Sequence, residues 1–361
     1  MNKHALAYYT SAVKLGFSVI KDDRLSGFWM LIGKHRYYFS YSSTPINNST
    51  STFISENKYI TNRLLHDNDI PVANSVAISA TEFSFNLLKI RIQEQGLKFP
   101  VVVKPLSWTA LGAGVICNVQ NLNNLFDNAQ KLLQKHSGVV VEEFYGGLKS
   151  YRILVFKNKI LAITTRNPAM VIGDGINNIM TLIRMENKKK IELIGIEKQM
   201  LINEEIEYCL GEQGLTLNNV PKSGRKIFVC HTVNVARGGT IDNQPVTICR
   251  ENKNIALKVA QILNLQLAGI DVACEDLNKP IDGVSGIIIE ANFNPNIIMH
   301  ENNIDIVEST VAYKIMRHFI FKHPLHYLNS QFKKNKNLRS YTRMLISIAA
   351  VIVLTAYYIK P

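Results

Sequence analysis

Two apolar runs limit what this chain can fold into more than anything else in it. Gly269-Ile270-Asp271-Val272 and Ile287-Ile288-Ile289-Glu290-Ala291-Asn292 each read as a buried strand that carries a carboxylate. An ionised carboxylate in an apolar strand is costly unless it is paired, hydrogen-bonded or bound to a metal. Side chains at i and i+2 share one face of a strand, so Glu290 and Asn292 point the same way. If the runs pair around the Asp276–Gly286 connection, Asp271 joins them. Two carboxylates and an amide form a hard-oxygen set suited to magnesium, or to manganese. Without a cation, two close buried carboxylates repel and one protonates. The competing assignment is a structural pairing with a nearby arginine.

Other polar residues stand at strand ends. Lys104 closes Pro100-Val101-Val102-Val103, where a charge is costly unless it meets an anion. The loop that follows holds Gly112 and Gly114, and two glycines let backbone N–H groups approach a phosphate closely. An ordinary turn explains them equally well. Val139-Val140-Val141-Glu142-Glu143-Phe144 is a strand whose edge could hold a purine, or a plain strand end. Arg152 and Arg166 sit on neighbouring strands, and Arg237 sits in Asn234-Val235-Ala236-Arg237-Gly238-Gly239. Each suits bidentate contact with phosphate or carboxylate, or a structural carboxylate partner.

Around these points helices and strands alternate, which predicts an α/β protein with α+β lobes. Helix patterns run over Ala5–Gly16, Lys58–Asn68, Ala80–Gln95, Leu122–His136, Asn252–Leu263 and Ile306–Phe321. Residues 177–217 read as polar helix, Ile227–Val235 as a strand, and Thr44–Ser55, rich in Ser, Thr and Asn, as a loop. With 361 residues, 47% of them hydrophobic, the chain is long enough for two or three lobes.

In this order the segments resemble the ATP-grasp superfamily, in particular the ATP-grasp region of cyanophycin synthetase and of the bifunctional glutathione-synthesis enzyme. The likeness runs from about Gly33 to His300. It is most specific at Arg166-Asn167-Pro168-Ala169 with Gly173-Asp174-Gly175, at Gly269-Ile270-Asp271-Val272, and at Ile289 to Pro295 with Met299-His300. Asn234 to Gly239 is similar to a segment of the ligase that adds glutamates to a ribosomal protein.

The resemblance implies two lobes clamping ATP behind a short α/β lead-in. It divides the chain into a lead-in (1–56), an N-terminal lobe (57–136), a C-terminal lobe (137–325), a basic linker (326–343) and an apolar tail (344–361). It implies that Lys58 and Lys104 touch the phosphates under a lid from Ser107 to Gly114, and that Glu142, Glu143, Phe144 and Tyr145 form the adenine hinge. Asn234 joins the nucleotide-binding residues. Asp271, Glu290 and Asn292 hold magnesium, and Arg152, Arg166 and Arg237 hold phosphate or an acyl phosphate.

The implied activity is an ATP-dependent ligase joining a carboxylate on an amino acid or peptide to an amine. A phosphotransferase with the same apparatus and a nucleotide-binding protein without turnover are the alternatives. The chain departs from the pattern at two points. Lys149 and Ser150 stand where an acid expected to hold ribose would follow Gly147, and Asn296 replaces the usual Gly after Pro295. The Mur-ligase-like and cysteine-ligating halves of the two relatives are missing, so neither product is inherited.

A net charge of +13 favours anionic partners. Lys188, Lys189 and Lys190 fit a solvated helix face, and nothing resembles a nucleic-acid-binding signature. Five cysteines, an odd number without a CxxC pair, fit a reducing, cytoplasmic setting. Self-association is left open. Met344 to Ile359 is a 16-residue charge-free run after a basic stretch. It would span about 24 Å as a helix, against roughly 30 Å for a hydrocarbon core. It is expected to be a membrane anchor holding the body on the cytoplasmic side, with a buried terminal helix or strand as the competing assignment.

Overall fold

In the computed structural model, which describes residues 1–106, 114–194, 200, 202, 204–233, 237–301 and 309–358, Asn2 caps the first helix by accepting the Ala5 amide at 2.9 Å. This helix, α1 (Lys3–Lys14), precedes an antiparallel meander of β1 (Ser18–Asp22), β2 (Gly27–Ile32) and β3 (His35–Ser40). Tyr8, Phe28 and Phe39 fill the space between helix and sheet, with the two phenylalanine rings stacked at 5.0 Å.

The long middle segment is built around several hydrophobic cores. α2 (Ser49–Glu56) and α3 (Lys58–His66) lead into β4 (Ser75–Ser79), α4 (Phe85–Glu94), β5 (Val101–Pro105), β6 (Ile116–Val119), α5 (Leu122–Leu133) and β7 (Gly138–Glu143). The four strands form an antiparallel sheet in the order β4-β7-β5-β6. Leu88 of α4 and Leu125 of α5 bury against Val101, Val103 and Val141 of this sheet.

Next come β8 (Lys149–Phe156), β9 (Lys159–Asn167), β10 (Met170–Ile172), α6 (Ile179–Ile194), α7 (Glu204–Glu212), β11 (Lys226–Phe228), β12 (Thr240–Asp242), α8 (Arg250–Ile262), β13 (Leu267–Cys274) and β14 (Gly286–Asn292). They give a five-stranded antiparallel sheet, β12-β9-β8-β13-β14, backed by Ala256 and Val259 of α8. A two-stranded β10-β11 ribbon packs with α6 and α7 around Val171, Ile179 and Ile227. The chain ends with α9 (Thr310–Met316), α10 (His318–Lys322), α11 (Pro324–Lys334) and α12 (Lys336–Tyr358).

Two compact units result: Met1–Pro45 with Asn296–Pro361, and Ile46–Pro295. The lead-in therefore does not stand alone as 1–56, because α9 packs on α1 and Phe319 enters the aromatic core beside Tyr37 and Phe39.

Where a loop is expected at Thr44–Ser55, α2 forms. Asn48 caps it by accepting the Ser51 amide at 2.8 Å, and the hydroxyls of Thr52 and Ser55 bond back to helix carbonyls. Hydroxyl and amide side chains that compete with a helix elsewhere here satisfy its start.

Next to this cap, the Asn47 amide donates to the Leu267 and Phe293 carbonyls, both at 2.8 Å, and its oxygen accepts the Gln266 and Leu267 amides at 2.8 and 3.0 Å. Asn47→Ala is expected to cost about 3 kcal/mol in denaturant unfolding, since it leaves four backbone groups unpartnered. A loss under about 1 kcal/mol would mean that water replaces the side chain.

The tail differs from its expectation. The basic linker falls in α11 and the start of α12, the apolar run continues α12 to Tyr358, and no helix among the described residues is long and apolar enough to cross a membrane.

Candidate active site

Lys104 lies near the end of β5, opposite Val140 of β7. Two residues further along β7 is Glu142, and the Lys104 ammonium donates to its Oε2 at 2.6 Å, with both side chains buried. The anion that a lysine needs at this depth is therefore supplied by the chain. The Glu142 side chain therefore serves Lys104, and in the sheet Glu142 stands between Ser75 of β4 and Val102 of β5.

The neighbouring hinge residues are held individually. Glu143 Oε1 accepts the Lys98 amide at 3.1 Å, and the Phe144 amide donates to the Pro100 carbonyl at 2.9 Å. The Phe144 ring meets His231 edge-on at 5.4 Å. Burial, then the Glu143 carboxylate, pushes the Tyr145 hydroxyl above its ordinary range.

Lys58 opens α3, whose N-terminus is capped by Asn57. Burial lowers its pKa and Lys104 adds to that, while Glu290, Glu142 and Glu56 act against it. Two lysines and three carboxylates from different elements therefore share one local field. Ser55, Lys58, Asn62 and Glu290 line a small cleft there.

Across the larger sheet, register puts Arg152 of β8, Asp271 of β13 and Glu290 of β14 side by side. Asp271 is bound by both arginines. Arg152 donates through Nε to Oδ1 and through Nη2 to Oδ2, the latter at 3.0 Å, and Arg166 Nη1 reaches Oδ2 at 3.2 Å. Burial would raise the Asp271 carboxyl, but the two guanidinium charges and their hydrogen bonds hold it below the usual carboxylate range.

The arginines shift in opposite directions. Burial lowers Arg166, and Asp271 does not fully offset that because Arg152 repels it; for Arg152, burial is outweighed by Asp271, and its pKa rises. One carboxylate shared by two cations explains the split, and the Arg152 fork is the tighter of the two. Glu290 adds to the field of both. Gly269 makes room for this arrangement: a Cβ there would come within 2.9 Å of Arg152 Nη1 and of Pro295 Cβ.

No family model matches the chain. Over 246 residues it is 31% identical to cyanophycin synthetase of Crocosphaera subtropica, a match covering 66% of this chain and 27% of that protein. Over 299 residues it is 29% identical to the glutathione biosynthesis bifunctional protein of Clostridium perfringens, covering 80% of this chain and 37% of the relative. The crystal structure of a bifunctional glutathione synthetase from Pasteurella multocida superposes with a TM-score of 0.53 at 24% identity, over 88% of this chain and 44% of that one. The chain has the ATP-grasp fold, and these synthetases are its homologues. It spans little more than a third of the bifunctional relative and about a quarter of the cyanophycin synthetase.

In this ATP-grasp chain the other predicted site residues fall less closely together. Asn292 stands opposite Gly269 and donates to its carbonyl at 3.3 Å. Arg237 is tied to α7 by a 2.7 Å ion pair with Glu205 and donates to the Thr232 hydroxyl at 3.2 Å, rather than joining Asp271. Gly114 adopts a left-handed φ of +75°, and a Cβ there would crowd Pro105 and Leu132. Gly112, with the rest of the expected lid at 107–113, and Asn234 lie outside the described residues.

Ser150 stands where a ribose-holding acid was expected, and its hydroxyl accepts Arg166 Nη2 at 2.9 Å. Its place opposite Arg166 follows from register; no pattern in the sequence singles out Glu205 or Thr232. Asp174 of the Gly-Asp-Gly segment closes a turn by accepting the Ile176 and Asn177 amides at 2.9 and 2.8 Å, and these bonds bring its pKa down to about 2. Burial pushes the thiols of Cys117 and Cys209 up to about 12, far from nucleophilic thiolates at neutral pH.

Proposed function

We propose that the protein is an ATP-dependent carboxylate–amine ligase acting on an amino acid or peptide. The observation that carries this reading is the registered row Arg152, Asp271 and Glu290, with Lys58 in the field of Glu290, Glu142 and Lys104. It is supported by the names of the relatives, which are synthetases and a biosynthetic bifunctional protein.

In this reading Lys58 and Lys104 grip the triphosphate, while the backbone around Glu143 and Phe144 faces the purine. Arg152 and Arg166 hold the carboxylate substrate against the γ-phosphate. Among the described residues Arg166 Nε is buried without a hydrogen-bond partner, which suits an incoming anion. The substrate carboxylate attacks the γ-phosphorus, and ADP leaves. An amine then attacks the acyl carbon of the resulting acyl phosphate, loses a proton, and releases inorganic phosphate as the amide forms. Such chemistry asks for positioning and charge stabilisation rather than a protein nucleophile, which fits the high thiol pKa values.

The donor set fits a magnesium ion: carboxylates on paired strands, and an amide two residues beyond Glu290 on the same face. Asp271, Glu290 and Asn292 would hold it, with Asp271 shared with its arginines. When bound, magnesium supplies charge neutralisation between the phosphates. Arg237 belongs in this reading to the acyl-phosphate side, held ready by Glu205.

The test is phosphate release from ATP against a panel of amino acids and dipeptides, with mass spectrometry of the products. Release that depends on a matched acid and amine, with a product lighter than their sum by one water, is expected. A phosphate ester as the product would make it a phosphotransferase. Nucleotide binding without substrate-dependent release would remove catalysis altogether.

A further inference from the structure

Net charge is unevenly distributed along this chain. After Glu308 there is no acidic residue, and the nine lysines and arginines that follow account for nine of the net +13. This basic segment also carries the most exposed large apolar side chains of the unit formed by Met1–Pro45 and Asn296–Pro361.

α11 is fixed on one side. Tyr327 donates to the Leu15 carbonyl at 2.7 Å, and Gln331 donates to that of Gly16 at 3.0 Å. On other sides Leu325 is 79% exposed, and Phe321 at the end of α10 is 72% exposed. Leu328, one helical turn after Leu325, is exposed as well.

In α12 the consecutive residues Met344, Leu345 and Ile346 are 58%, 64% and 64% exposed, and Ile348, Val351 and Ile352 are exposed with them. Successive helical residues step by about 100°, so three in a row already point over more than half the circumference. A groove on a partner protein covers one narrow stripe of a helix, and these side chains spread over a wider arc than that. The headgroup–acyl boundary of a lipid leaflet takes up such an arc, and the lysines and arginines ahead of this segment match lipid phosphates in charge. No helix among the described residues is long and apolar enough to cross a bilayer, and contact with one leaflet needs no such length.

We infer that this unit docks on an anionic lipid surface, with the apolar part of α12 seated at the headgroup–acyl boundary, Lys333 of α11 and Arg339 of α12 on the phosphates, and Phe321, Leu325 and Leu328 adding a second apolar contact. The inference is independent of the reaction performed by the other unit.

Flotation of the full chain with phosphatidylcholine vesicles, and with vesicles that also contain phosphatidylglycerol, tests it. Co-flotation with the mixed vesicles is expected, weaker with phosphatidylcholine alone and weakened by salt. Leu345→Glu combined with Ile352→Glu should lower binding by more than about tenfold, since each removes an apolar side chain whose burial alone is worth roughly that factor. Lys333→Glu with Arg339→Glu should abolish the preference for the anionic vesicles while leaving the melting curve unchanged.

A parent chain that floats with neither composition overturns the inference, as does a double-glutamate variant that floats like the parent. So does a lipid-free dimer that the same two glutamates turn into a monomer, because a second copy would then be what covers the helix.

Discussion

Lys104→Met is expected to abolish ATP-dependent phosphate release and to destabilise the protein at the same time. The ammonium and the Glu142 carboxylate form a 2.6 Å pair in which both side chains are buried. Removing one member leaves a carboxylate without a counter-charge, a change that typically costs about 3–5 kcal/mol. Removing a cation aimed at a transferring phosphoryl group lowers turnover by about 10²–10³-fold or more.

The two effects separate in a second variant. Lys104→Met with Glu142→Leu replaces the pair by apolar side chains of similar size, which is often neutral for stability. That variant should melt close to the parent and still release no phosphate. Denaturant unfolding and phosphate release on both variants check this. If the single variant turns over ATP like the parent, Lys104 is a structural lysine and the N-terminal half of the proposed site has to be redrawn.

Lys104 could be found from the sequence because a charge at the end of an apolar strand is conspicuous. The partner could not, since Glu142 becomes that partner only through the antiparallel register of β5 and β7. The same holds for Asp271. Two apolar strands with acidic residues mark the site, and their pairing follows from the short connection between them. Which cation Asp271 meets depends on β8 and β9, whose order beside β13 no local pattern encodes.

Other misses have local causes. Ser75–Ser79 is a short run with a serine at each end and is a strand because β7 pairs with it. β12 is three residues long and exists only against β9. The Ser- and Thr-rich segment at 49–56 reads as loop until Asn48 is seen to cap it. α9 and α10 read as the end of the catalytic body and most of α11 as a basic linker, but their aromatic residues belong with α1 and the first three strands. Burial patterns say that a face is covered, not by which distant segment.

Asp271 and Glu290 should respond differently to removal of one negative charge, and the difference decides whether the row across β8, β13 and β14 is a metal site or an ion-pair network. Asp271→Asn leaves Arg152 and Arg166 buried with one carboxylate fewer, so a loss of about 3–5 kcal/mol is expected whether or not a metal binds. Its stability contribution should also follow pH in a defined direction. The folded-state carboxyl lies below its unfolded value of 3.8, so the contribution is present above that pH and is lost as pH falls through the folded value.

Glu290 is only half-buried, and Glu290→Gln keeps its shape, so a change within about 0.5 kcal/mol is expected. Its effect should appear in catalysis instead: turnover reduced by about 10²-fold or more, with a higher magnesium concentration needed for half-maximal phosphate release, as expected when a carboxylate ligand becomes an amide. Unfolding curves and magnesium titrations of phosphate release on both variants give the answer. Were Glu290→Gln to keep the parent's turnover and magnesium requirement while Asp271→Asn only lost stability, the carboxylates would belong to the arginines alone and the metal would have to be sought elsewhere.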